Sequence, residues 1–215
     1  DLILSVFTGN LLFTEDLLPS LYYARDRWLK PGGVLLPDRA RLSLCAAEAA
    51  AAHASAITRY ETPSLAIEYA ALAARAANVP IAWQRDGQVP MPLTQPMRAC
   101  ELDFTTTMQA GLDFTATGQA SRAGIAHALL GWIEIRLGGA WLSTAADQPA
   151  VHWSPMLLPF RMPVPVQAGD EIEIGLRYVD NEQMFWSLRS PDGTLQRQSP
   201  VFDNPQAMRN LVLSS

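Results

Sequence analysis

The sequence predicts an α+β chain in two parts: a short α/β piece over residues 1–36, then a β-rich domain over 37–215 with a helical insertion at about 48–98. Three observations carry this. The first forty residues read strand–loop–helix–strand, the unit of an open α/β sheet. An alanine-rich tract then reads as helix, alanine being the best helix former. From Ala99 onward, β-branched and aromatic segments alternate with Gly/Pro turns, which argues a barrel or a sandwich.

In order, Leu2, Ile3, Leu4 and Val6 form the short apolar run of a buried strand. Thr8-Gly9-Asn10 is a turn, and an acidic pair, Glu15-Asp16, follows. Pro19 suits a first helical turn, with Leu21, Tyr22, Arg25, Trp28 and Leu29 at helical spacing. Lys30-Pro31-Gly32-Gly33 stops that helix, and Val34-Leu35-Leu36 is the next strand. Ligands of open α/β sheets bind beyond the carboxyl ends of the strands, so the loop 6–15 is the first place to look for function.

Ala40–Ala46 alternates as a strand; Ala49–Tyr60 and Ser64–Ala77 read as two helices, with Ser64 as N-cap of the second. Residues 79–98 hold Pro80, Pro90, Pro92 and Pro96, an extended connection that either docks on its own domain or projects as an arm. Strands are expected at 101–107, 112–117, 125–137, 156–162, 171–178 and 184–188, with turns at Gly138-Gly139, Gly169 and Gly193. Along the third of these, Ile133, Ile135 and Leu137 face one way and Trp132, Glu134 and Arg136 the other.

Half of the residues are apolar and 17% are charged, which excludes a disordered chain. A net charge of −5 with a single lysine, Lys30, argues against a nucleic-acid partner, which needs clustered cations. No run of eighteen apolar residues predicts a membrane span. Cys45 and Cys100 lie outside any CxxC, and three scattered histidines give no metal spacing. A reducing cytoplasm is the simple expectation, with a single Cys45–Cys100 disulfide the other possibility. His53, in an alanine helix, and His127, on a strand, read as structural; Glu171 and Glu173 read as a solvated face.

Several of these stretches resemble the protein arginine methyltransferases. The matching residues are Asp1-Leu-Ile-Leu-Ser5, Gly9, Leu12, Glu15, Ala24-Arg-Asp26, Trp28-Leu29, Pro31, Gly33, Pro37-Asp-Arg39-Ala40 and, far downstream, His152-Trp153. The resemblance implies that residues 1–36 end a Rossmann-like S-adenosylmethionine domain and that 37–215 form a β-barrel interrupted by a dimerisation arm, placed by position at 79–98. In the family two loop glutamates grip the substrate guanidinium, a planar cation that carboxylates match in bidentate geometry. The second of these falls on Glu15, the first on Val6, and the adjoining aromatic position on Phe7. Valine can neither accept a hydrogen bond nor balance charge, and losing one such contact at a buried cation costs on the order of 2–5 kcal/mol.

The resemblance also makes His152 and Trp153 a wall of the acceptor pocket, with Val151 in place of a family threonine. It implies methyl transfer from S-adenosylmethionine to a guanidinium or another amine, on a protein or a small molecule. No G-x-G turn opens a helix here, so the cofactor elements are expected ahead of residue 1. The chain alone is expected to be a fragment that binds S-adenosylmethionine weakly or not at all. A catalytically degenerate member serving as a dimerisation or protein-binding module is the other reading.

Overall fold

The structure, a computed structural model, describes residues 1–61, 69–85, 87–180 and 183–203. Strand β1 (Leu2–Leu4), helix α1 (Leu18–Trp28) and strand β2 (Val34–Leu36) form the expected strand–helix–strand unit, with β1 parallel to β2 and Ile3 opposite Leu35. Pro19 lies in the first turn of α1, where its missing N–H costs nothing. Leu18, Leu21, Tyr22 and Arg25 form the buried face. Trp28 departs from the expected face: it is exposed and stacks edge-on against Tyr23, while Leu29 takes the inward place.

The rest is β-rich. Strands β3 (Arg39–Glu48), β4 (Ile81–Ala82), β5 (Met91–Pro92), β6 (Met97–Asp103), β8 (Gly124–Leu137), β9 (Ala140–Ser143) and β10 (Met156–Val166) make a seven-stranded sheet. Strands β7 (Leu112–Gln119), β11 (Glu171–Tyr178), β12 (Met184–Arg189) and β13 (Leu195–Gln198) make a four-stranded one in the order β13-β12-β11-β7. The expected barrel is therefore found as two facing sheets, with no closed ring of backbone pairing among the described residues. At one seam a side chain does the pairing. The amide of Gln196 on β13 donates to the Met162 carbonyl at 2.6 Å and accepts from its N–H at 3.2 Å, imitating a backbone partner for β10. Leu42, Phe160, Ile174, Trp186 and Leu188 fill the space between the sheets, and Leu12, Leu21 and Leu35 of the first part join the same core.

Helices α2 (Ala50–Ala56) and α3 (Ala70–Ala76) lie in the insertion, where Ile57, Ala73 and Ala77 form a separate small cluster. The proposed Ser64 cap falls outside the described residues. Segment 79–98 does not project. Ala82 pairs with Met156, Trp83 is 5% exposed with its N–H on the Pro155 carbonyl, and Met91 and Pro92 pair with β3. Trp83 and these backbone bonds hold the segment to the sheet, so the helical stretch ahead of it is the part packed outside the main core. His53 and His127 are buried structural groups, their rings 5.4 Å apart. Both cysteines are free thiols, and burial pushes both up to about 12, which leaves them unreactive.

Candidate functional site

The loop between β1 and α1 is built from buried anchors and strained backbone. Leu11, Leu12 and Phe13 are all but fully buried. Leu12, Glu15 and Asp16 have left-handed backbones, with φ of 68, 78 and 53°. Each non-glycine residue so placed costs about 1–3 kcal/mol and persists only where its surroundings over-determine it; such residues gather at functional sites. Gly9 is required by close approach, because a Cβ there would collide with the Thr14 hydroxyl and carbonyl. The Gly9 carbonyl in turn accepts the Leu12 N–H at 2.9 Å.

Two distant segments hold this loop. From the connection between β9 and β10, the Trp153 indole N–H donates to the Thr8 carbonyl at 2.6 Å, and the Ser154 N–H donates to the Asn10 side-chain oxygen at 2.9 Å. From β11, the Tyr178 hydroxyl donates to an Asp16 carboxylate oxygen at 2.6 Å, while its ring stacks on Phe13 at 6.0 Å. Burial raises the Tyr178 phenol, and Asp16 raises it further, so it stays a proton donor.

The sequence-nominated residues fall around this junction. Glu15 is exposed on a single 3₁₀ turn, Thr14–Asp16. His152 is exposed, with its ring edge-on to Trp153 at 5.3 Å. Trp153 is half-buried, and Phe7 and Val6 stand 38% and 65% exposed. The tie between Trp153 and Thr8 thus brings the nominated His152-Trp153 segment onto the nominated 6–15 loop across 145 positions. Sequence reasoning missed Asn10, Asp16 and Tyr178 as the holders of the loop. Asp16 carried a signal as half of an acidic pair; Tyr178 carried none. The Thr8 hydroxyl is buried without a hydrogen-bond partner among the described residues.

The first part is fixed to the second by α1. Arg25, 8% exposed, donates to the carbonyls of Phe104 at 2.8 Å and Thr107 at 2.7 Å and to Asp26 at 2.7 Å. The Tyr22 hydroxyl donates to the Gln109 carbonyl at 2.6 Å. Gly32 and Gly33 follow α1 and do not open a helix, so their amides build no cofactor cradle. Among the described residues no three His, Cys, Asp or Glu side chains gather as metal ligands, and no helix is long and apolar enough to cross a membrane.

Comparison with known proteins gives a consistent family. The arginine methyltransferase oligomerization subdomain matches residues 55–190. A probable protein arginine N-methyltransferase 3 of Arabidopsis thaliana is 28% identical over 182 residues, covering 77% of this chain and 30% of the relative. Protein arginine N-methyltransferase 8-B of Danio rerio is 30% identical over 178 residues, covering 80% and 42%. The chain therefore spans less than half the length of these relatives. Among solved structures, the Trypanosoma brucei PRMT1 enzyme–prozyme heterotetrameric complex with AdoHcy superposes with a TM-score of 0.75 at 18% identity, over 88% of this chain and 62% of that one. Arabidopsis thaliana protein arginine methyltransferase 10 gives 0.67 at 18% identity, over 92% and 70%. These likenesses share the mixed helix-and-sheet fold, and with the family match extending over more than half of the sequence, the chain belongs to the protein arginine N-methyltransferase family.

Proposed function

We propose that this chain is the acceptor-binding part of an S-adenosylmethionine-dependent N-methyltransferase. Residues 1–36 would be the end of its Rossmann-like cofactor domain and 37–215 its barrel-like substrate domain. The observation that carries this reading is the junction of the two nominated segments: the Trp153–Thr8 bond ties the His152-Trp153 wall to the loop bearing Glu15. Strained left-handed backbone at Glu15 and Asp16 supports the same reading, because it aims side chains at a cost the fold must offset.

In this assignment Glu15 holds the cationic acceptor, Trp153 and Phe7 flank it, and His152 stands at the rim, edge-on to Trp153. The intact protein's work is positioning and electrostatics. S-adenosylmethionine supplies the methyl group. The described residues offer it no cradle, so its binding belongs to other segments. Exposed apolar residues on the small parallel sheet, Leu2, Leu4 and Val34, support a larger sheet around it, since parallel sheets are covered on both faces. The helical insertion, more than 79–98, is the piece we assign to oligomer contacts, with a second copy or a related chain as partner.

A second reading, a catalytically degenerate member acting as a dimerisation or protein-binding module, is favoured by Val6, where a family glutamate is absent. The deciding experiment uses the full-length parent protein with labelled S-adenosylmethionine, arginine-rich peptides and a cell extract. Label on peptide arginine, lost in Glu15→Gln, is the expected result. Label on small molecules alone keeps the transferase and changes the acceptor. No label together with no cofactor binding leaves the module.

A further inference from the structure

The outer face of the four-stranded sheet carries a depression of about 330 Å³ that the acceptor site does not use. Alternation along β11 sends Ile172, Ile174, Leu176 and Tyr178 into the core. Gly175 faces outward between them and leaves a gap in the centre of the face. A Cβ there would meet the Ser187 hydroxyl at 2.6 Å and the Thr115 hydroxyl at 3.5 Å, so two hydroxyls overhang the gap from the neighbouring strands.

Register completes the ring. Gly175 stands opposite Thr115 and Ser187, and Ser187 stands opposite Arg197. Arg177, two residues along, stands opposite Asp113 and Phe185. The two arginines are two strands and two residues apart, a Cα separation of about 12 Å, which long side chains close onto one small ligand. In the next row along the sheet, Arg189 is neutralised by Glu173 at 3.1 Å. Within the depression, among the described residues, Arg177 and Arg197 have no ion pair and neither hydroxyl has a hydrogen bond. Two cations against one carboxylate, Asp113, leave a local excess of positive charge on a chain of net charge −5.

We propose that this depression is a carboxylate-binding site. The guanidinium groups of Arg177 and Arg197 and the hydroxyls of Ser187 and Thr115 donate to the carboxylate, and Phe185 takes an adjoining apolar part of the ligand. Guanidinium is the group that matches a planar carboxylate in bidentate geometry, and the volume suits a ligand of a few residues or a small acid. The carboxylate is free, as in a dicarboxylic acid, or borne by an acidic protein segment; the chemistry at the site is the same.

The test is a titration of the 215-residue chain followed by amide resonances, with two probes: glutarate, and an acetylated and amidated Glu-Phe-Glu peptide. Saturable shifts confined to Thr115, Gly175, Arg177, Ser187 and Arg197 are expected. The combined Arg177→Gln and Arg197→Gln change should weaken binding about tenfold or more with the melting temperature unchanged. Gly175→Val, which fills the depression, should abolish it; the Gln pair carries the test if that variant does not fold. A peptide that binds more tightly than glutarate assigns an acidic protein segment, and equal binding assigns a free acid. No saturable shift with either probe, or equal affinity in the Gln pair, overturns the proposal.

Discussion

Tyr178 and Asp16, 162 positions apart, share a 2.6 Å hydrogen bond that pins the strained end of the β1–α1 loop to the far sheet. Asp16 follows Glu15 directly, and both have positive φ. The phenol therefore holds the backbone that carries Glu15; in the proposed assignment it acts through Asp16 and not on the acceptor.

Tyr178→Phe keeps the ring stacked on Phe13 and removes only the donor. A hydrogen bond to a charged acceptor is worth about 1.5–3 kcal/mol. In the full-length protein the variant should lower methyl transfer about tenfold or more. The loss should fall on acceptor affinity, read as KM, with KM for S-adenosylmethionine unchanged.

Asn10→Ala removes the acceptor of the Ser154 N–H, and the half-buried bond is worth about 1 kcal/mol. Thermal unfolding should shift down by about 2–4 °C. Protection of the Ser154 amide from hydrogen exchange should fall while that of the β11 amides stays.

Arg25 is the bolt between α1 and the sheet domain. Arg25→Met leaves the Phe104 and Thr107 carbonyls short of a donor in a buried place, which costs about 2–4 kcal/mol. Urea unfolding should show that loss, and a separate early transition of the first part would mark its release.

Burial is the main cause holding the His127 imidazole below its usual value, aided by His53; the Ile125 carbonyl and Glu48 oppose it. Glu48 itself is paired with Arg122 at 2.8 Å. A histidine with a depressed folded value contributes stability above its unfolded value, near 6.5, and loses it as the pH falls toward the folded value. The melting temperature should therefore drop below about pH 6.5, and His127→Gln should flatten that drop.

The legible part of the molecule was its local patterning. Alternation in 125–137 and 171–178 led directly to β8 and β11, and the Pro/Gly signals around α1 marked its ends. Three features were not legible, each for a physical reason. Two facing sheets and one closed barrel share the same strand alternation, and only long-range pairing, here with Gln196 standing in for backbone, distinguishes them. Prolines in 79–98 left docking and projection open and the family resemblance placed an arm there by position, but Trp83 and the strand pairing of Ala82 and Pro92 dock the segment, and neither contact has a sequence period. At the site, family-like residues pointed to Glu15 and His152-Trp153, while the holders Asn10 and Tyr178 act through contacts 144 and 162 positions long that no local pattern encodes.

In the proposed assignment the loop 6–16 receives the acceptor cation between positions 6 and 15. Val6→Glu in the full-length protein tests this most directly, since Val6 is 65% exposed and the change leaves the core intact. Restoring a second carboxylate should raise methyl transfer to an arginine-rich peptide by about tenfold or more through a lower peptide KM, and Glu15→Gln should erase the gain. Unchanged or reduced transfer, with cofactor binding intact, would contradict the assignment.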